Sequence, residues 1–181
     1  MSGTTKILIS GFGGQGVLTL GVLMADIAMR KGKEVTWMPS YGAEMRGGTA
    51  NCSVIISDKM IGSPIAAAGM DILCAMNAPS VTKFVDKVFP GGHVFVNSSI
   101  VKERVAREDV NVLEIDATNI ATKVGNIRVA NMVMLAGFLL KTNLFTQADV
   151  EEVINHRFKT RNPQLVPLNL EAIKQGMEAA K

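Results

Sequence analysis

Arg46 has Glu44 two residues before it and Gly47-Gly48 directly after it. A guanidinium offers five donors in a fixed fork, a shape that matches a phosphate or carboxylate better than a lysine ammonium does. Paired glycines let another backbone come close. The grouping therefore suits capture of an anion or a tight contact with another chain. Glu44 is placed to pair with Arg46 or to hold it, and an ion pair confined to an exposed loop is worth under about 1 kcal/mol. The stretch Tyr41-Gly-Ala-Glu-Met-Arg-Gly-Gly-Thr-Ala-Asn51 reads as irregular, with Tyr41, the single tyrosine, and Thr49 near its ends. Tyr41 suits stacking or a hydroxyl contact at an interface as well as ordinary packing.

A second glycine cluster, Gly11-Phe-Gly13-Gly14-Gln15-Gly16, lies upstream. Gly11, Gly13 and Gly16 match the GxGxxG pattern and fall between a strand-like and a helical run, as a dinucleotide fingerprint requires. The acidic residue that would bond the ribose is missing from the end of the next strand, which reads Met38-Pro39-Ser40. Glu34 has a suitable separation but starts that strand, at the opposite edge from the glycines. Such a turn still gathers backbone amides at a helix N-terminus, where an anion is favoured. It equally permits tight strand–helix packing or contact with a second subunit. Gln15 is the one polar side chain of the turn, placed to orient a ligand or the neighbouring loop.

The two loops, taken with Pro39-Ser-Tyr-Gly42 ahead of Arg46-Gly-Gly48, resemble the gamma subunit of the thiamine-diphosphate-dependent 2-oxoacid:ferredoxin oxidoreductases, from Lys6 to about Gly176. Asn131-Met132 also matches the family's pattern, and Asn131 is placed to cap its helix or bond a loop. The resemblance implies a Rossmann-like α/β subunit packed over an active centre. Thiamine diphosphate, Mg2+ and 4Fe-4S clusters would be held by alpha, beta and delta-type companion subunits and none by this chain. The reaction implied is oxidative decarboxylation of a 2-oxoacid with coenzyme A as co-substrate, giving acyl-CoA, carbon dioxide and reduced ferredoxin. The form Tyr41 to Ala50 is most similar to the 2-oxoglutarate-type enzymes, whose scaffold the pyruvate, branched-chain and indolepyruvate enzymes share. Partners implied are those companion chains and, through the complex, ferredoxin; self-association is a further expectation. The residues alone leave two other readings open, a free-standing NAD(P)-binding oxidoreductase and a ligand-sensing or assembly module.

Composition narrows the classes. Hydrophobic residues make up 48% and charged residues 19% of 181, a lean share beside the usual charged fraction of about 25%. Buried parallel strands, apolar on both faces, account for this as readily as a covered partner surface does. The net charge of +3 is spread out, with no Lys/Arg run beyond Arg30-Lys31-Gly-Lys33, so no nucleic-acid footprint is present. Cys52 and Cys74 are isolated from each other and from His93 and His156, which gives no metal-ligand spacing; both read as core residues. No signal peptide pattern opens the sequence. The longest apolar run, Val129 to Leu140, is too short for a bilayer. A cytoplasmic protein with no membrane association is expected.

The whole chain, 1–181, reads as one domain. Lys6–Ser10 is a strand, Val17–Arg30 a helix stopped at Gly32, and Glu34–Met38 a second strand, a parallel strand-helix-strand opening. Cys52–Ser57 is a third strand, with Lys59–Ile65 as a hairpin return. Asp71–Met76, Val94–Val96 and Asn111–Ile115 follow as strands. A helix from Pro79 ends before Pro90-Gly-Gly92, and a short one runs from Asp116 to about Val124. Ala130–Lys141, Gln147–Phe158 and a segment from Pro163 to Ala180 are helical, the last starting late or kinked because of Pro167. This alternation predicts a three-layer α/β, Rossmann-like domain with a mostly parallel sheet and a helical C-terminal third.

Overall fold

Ile7, Leu8 and Ile9 are consecutive and apolar because the strand carrying them is covered on both faces: Ile7 and Ile9 are 0% exposed on one side and Leu8 8% on the other. The computed structural model describes residues 3–41, 49–66, 68–160 and 162–180. The described residues form β1 (Thr4–Phe12), α1 (Val17–Arg30), β2 (Glu34–Tyr41), β3 (Thr49–Ser57), β4 (Met70–Ala75), α2 (Ala78–Phe84), β5 (Val88–Asn97), β6 (Asn111–Ile115), α3 (Ala117–Val124), α4 (Ala130–Lys141), α5 (Gln147–Phe158) and α6 (Leu165–Ala179). One six-stranded sheet runs in the order β2-β3-β1-β4-β5-β6.

The parallel pairing expected for the first two strands is corrected. β3 lies between β2 and β1, antiparallel to both, while β1, β4, β5 and β6 are parallel neighbours. β2 still runs in the direction of β1, so the sheet is mostly parallel. β3 turns Cys52, Val54 and Ile56 toward α1 and carries Asn51, Ser53, Ile55 and Ser57 on its other side, an alternation compatible with its antiparallel setting. Two more boundaries differ. Residues 59–65 form no strand. Pro90-Gly91-Gly92 lies inside β5, whose pairing with β4 shifts register between Met70 and Ile72. Glycine at 92 is obligatory, since a Cβ there would stand 2.6 Å from the Asp71 carbonyl oxygen.

α1 ends where Lys31 caps it and Gly32 takes a φ of +71, the left-handed exit that glycine supplies at least cost. Its face of Leu20, Leu23, Met24, Ile27 and Ala28 packs on Ile7, Ile9, Cys52 and Val54. That side of the sheet also carries Phe95 and Ile115 beneath α4, whose residues from Ala130 to Phe138 are all buried. α6 crosses α4 closely at Gly176, where a Cβ would lie 2.7 Å from the Val133 carbonyl oxygen. α5 begins in a capping box in which Thr146 Oγ1 accepts from the Asp149 amide and Asp149 accepts from the Thr146 amide. Pro167 is the third residue of α6, within the first turn, where its missing amide removes no helical bond. The opposite face is covered by α2, with Val81 against Leu8, Leu73, Val94 and Val96. Among the described residues no helix is long and apolar enough to cross a membrane.

Candidate functional site

The glycine turn follows β1 directly. Phe12, the last residue of β1, pairs with Thr49, the first of β3, and Tyr41, the last of β2, pairs with Ala50. Both roots of the Arg46 segment therefore stand at the carboxyl edge of the parallel strands, beside the glycine turn. Glu44, Arg46, Gly47 and Gly48 lie outside the described residues, as does the Tyr41 side chain. The expectation that the eleven residues from Tyr41 to Asn51 avoid regular structure is corrected at both ends, since Tyr41 and Thr49 to Asn51 are strand residues.

Within the turn, Gln15 bonds the protein itself. The Phe12 amide donates to Gln15 Oε1 at 2.6 Å and Gln15 Nε2 donates to the Met76 carbonyl at 3.1 Å. Gly11 is glycine for the same reason, as a Cβ there would lie 2.6 Å from Gln15 Oε1 and 2.7 Å from Met76 Cβ. Gly14 has a φ of +98 with open space where a side chain would project. Gly16 sits at the N-cap of α1 with a φ of +75 and no side-chain cap. A Cβ on Gly16 would stand 2.7 Å from Asn131 Cγ, and Asn131 Nδ2 donates to the Gly16 carbonyl at 3.1 Å. Of the two roles open to Asn131, the loop bond is the one made; α4 has Val129 as its N-cap and no side-chain cap bond.

The dinucleotide reading lacks its acid. Glu34 pairs with Ser57 at the amino end of the sheet, and the carboxyl end of β2 is Met38-Pro39-Ser40-Tyr41. Arg30, Lys31 and Lys33 are engaged at that far edge with Asp26 and Glu152, Asp149, and Asp58. The first and third glycines are demanded by the chain's own Gln15 and Asn131 side chains.

Sequence reasoning missed a polar cluster behind the turn. Asn77, 1% exposed, caps α2 by accepting from the Ser80 amide at 3.0 Å and the Ser80 hydroxyl at 2.5 Å. Ser80 Oγ also meets Ser10 Oγ at 2.8 Å, and the Asn77 Nδ2 donor has no partner. The Asn77-Ala-Pro79 cap pattern was its available signal. After β5, Ser99 Oγ donates to Asp116 at 2.6 Å and accepts from the Thr118 and Asn119 amides, while buried Asn97 donates to Thr118. These bonds organise the start of α3.

Cysteine chemistry does not fit a cluster in this chain. Cys52 and Cys74 sit on opposite sides of β1, each opposite Ile9. Burial pushes the Cys52 thiol up to about 12 and raises that of Cys74 as well, as expected of core cysteines. His93 lies apart at the start of the β5–β6 pairing, its imidazole held below the usual range by burial and by Lys141. Two open clefts, of about 390 Å³ beside Val112 and Glu114 and about 500 Å³ between Asp26 and Phe158, involve none of the glycine-turn residues.

Residues 6–179 match the family described as pyruvate ferredoxin/flavodoxin oxidoreductase. The chain belongs to that family. It is 36% identical over 178 residues to ketoisovalerate oxidoreductase subunit VorA of Methanothermobacter thermautotrophicus, covering 97% of this chain but only 36% of VorA. Against 2-oxoglutarate synthase subunit KorC of Methanocaldococcus jannaschii it is 33% identical over 179 residues, 97% of this chain and 94% of KorC. The crystal structure of a keto/oxoacid ferredoxin oxidoreductase gamma subunit from Geobacter sulfurreducens superposes with a TM-score of 0.82 at 30% identity, covering 97% and 98% of the two chains. The chain is thus a gamma-type member of the family. It spans about a third of VorA and nearly all of KorC and the Geobacter subunit.

Proposed function

We propose that this chain serves as the gamma subunit of a thiamine-diphosphate-dependent 2-oxoacid:ferredoxin oxidoreductase and is inactive alone. Its assignment is to an oxidative decarboxylation in which a 2-oxoacid and coenzyme A give acyl-CoA and carbon dioxide, the released electrons passing to ferredoxin. The observation that carries this reading is the convergence of the glycine turn and both roots of the Arg46 segment on one sheet edge, in a chain of this family. Thiamine diphosphate, Mg2+ and iron–sulfur clusters are assigned to companion alpha, beta and delta-type chains, a reading supported by Cys52 and Cys74 lying apart on either side of β1, each opposite Ile9. The 2-oxoacid is assigned as 2-oxoglutarate, supported by the Tyr41 to Ala50 form and by identity with KorC over nearly its whole length. The 36% identity with VorA favours a branched-chain 2-oxoacid as the second reading.

Arg46→Ala in the assembled complex tests the assignment. A hydrogen bond to a charged group contributes about 1.5–3 kcal/mol, so a loss of roughly 10- to 150-fold is expected at about 1.4 kcal/mol per decade. Loss of co-purifying chains assigns Arg46 to the interface, the role preferred here because Gly47-Gly48 suits close approach of another backbone. A raised KM for coenzyme A or for the 2-oxoacid assigns it to that ligand instead. Normal assembly with unchanged kcat and KM values would remove the segment from function. Comparing 2-oxoglutarate with ketoisovalerate as substrates of the same complex separates the two substrate readings.

A further inference from the structure

β2 ends the strand order, so one row of its backbone groups has no neighbouring strand. Pro39 identifies that row. A proline cannot donate to a ladder, so within an edge strand it takes a position whose amide would point outward. Val35 and Trp37 share that setting by alternation, with free N–H and C=O groups, while the backbone groups of Thr36 and Met38 point to β3. Edge strands usually carry charges that discourage pairing. None lies between Val35 and Ser40, and Trp37 and Met38 remain 37% and 40% exposed. α1 continues this surface. Apart from the face it buries on the sheet, it repeats Leu18, Val22, Ala25 and Met29 at spacings of four, three and four, the seam pattern of paired helices. Met29 is 64% exposed, and Leu18 and Val22 are half-buried. The stripe is turned away from α5, since Asp26 and Arg30 lead to Glu152 on the other side. It is turned toward β2, because a Cβ on the neighbouring Gly21 would stand 2.9 Å from Trp37 Nε1.

We infer that this edge is a self-association surface, on which two copies pair β2 antiparallel about a two-fold axis at Thr36 and run their α1 stripes side by side on the same face of the extended sheet. Its features fit a second copy in particular. The axis joins the outward groups of Val35 and Trp37 to those of Trp37 and Val35 in the second copy, and leaves Pro39 opposite Lys33, beyond these bonds. Thr36 Oγ1 is a buried side-chain polar atom with no partner among the described residues. On the axis its hydroxyl, turned about χ1, meets its own copy, and threonines directly opposite across a ladder bond each other. Because Trp37 lies beside Gly21 and α1 runs against β2, the axis falls level with the middle of the stripe. Val22 and Ala25 then meet Ala25 and Val22, and Leu18 meets Met29. A charge near a two-fold axis faces its own like, and neither the stripe nor the strand from Val35 to Ser40 holds one.

Sedimentation velocity of the purified full chain over a concentration series tests this, with hydrogen exchange at Val35 and Trp37 as the local readout. The wild type should form a concentration-dependent dimer whose Val35 and Trp37 amides are protected and lose that protection on dilution. Val22→Glu with Met29→Glu puts carboxylates into the seam at positions that are not buried, and should weaken the dimer Kd about tenfold or more. Val35→Pro, which removes an outward amide, should weaken it as well. Ile127→Glu, at a residue 59% exposed and outside both elements, should leave the Kd unchanged. A chain that stays monomeric at every concentration overturns the inference, and protection of Val35 and Trp37 seen only with companion chains present would then assign the edge to them. A dimer insensitive to the substitutions, or one that leaves these amides unprotected, also overturns it by placing the contact on another face. Should Val35→Pro fail to fold, the α1 variant decides. The result is independent of the gamma-subunit reading, which enzyme assays of the assembled complex test.

Discussion

At Gly16 two independent requirements meet in one residue. Its φ of +75 is left-handed backbone, and a β-carbon there would collide with Asn131. Gly16→Ala is therefore expected to destabilise the chain by about 2 kcal/mol or more, combining backbone strain of roughly 1 kcal/mol or more with the displacement of a buried side chain. Chemical denaturation measures this. Adding Asn131→Ala should recover the steric part and leave the backbone part, so the double mutant should be less unstable than the sum of the singles. Strictly additive losses would mean that Asn131 does not press on Gly16. Nicotinamide nucleotides provide a second residue-scale test. A dinucleotide site would stabilise the fold by about 2.7 kcal/mol at a hundredfold excess over its Kd, and no thermal shift with NADH or NADP is expected because β2 ends without an acid.

Among the elements, α5 carries the clearest pH dependence. The Lys31 ammonium, with the Thr146 amide, holds the Asp149 carboxyl below its ordinary value. A depressed folded pKa contributes stability that is complete above the unfolded pKa of about 3.9 and fades as pH falls through the folded value. Asp149→Asn should therefore cost about 1 kcal/mol near neutrality, the usual worth of a cap, and progressively less in acid. A cost independent of pH down to that range would show that the carboxylate charge is idle. The capping box was legible as Thr146 with Asp149 three residues on, and the limits of α1, α4 and α5 followed from glycine, cap and apolar spacing. The inserted β3 was not legible. Its Cys52, Val54 and Ile56 alternate with Asn51, Ser53, Ile55 and Ser57, but its place between β2 and β1 leaves no mark in composition. The glycine turn was visible, but its bonding was not, since Met76 lies 61 residues from Gln15 and only the folded sheet brings them together.

On the scale of the whole molecule, no group of His, Cys, Asp and Glu among the described residues could hold a metal ion, and the proposed gamma-subunit role expects the chain purified alone to be colourless and to reduce neither ferredoxin nor viologen with any 2-oxoacid. Reduction by the isolated chain would end the gamma-subunit reading. Hydrogen exchange before and after assembly should show protection gained at Thr49 to Asn51 and at Phe12, the strand ends nearest the proposed companion surface, with exchange in α5 unchanged. The antiparallel placement of β3 carries a further consequence for how such a protein can diversify. The connection from Tyr41 to Thr49 joins neighbouring strands rather than crossing the sheet, and its two ends are held by ladders running from Glu34 to Tyr41 and from Thr4 to Phe12. Residues can be added there without slipping either ladder, and doubling such a loop costs only about 0.6 kcal/mol in closure entropy. Selection acting on this one connection can retune what the sheet edge meets while the framework that folds it stays untouched.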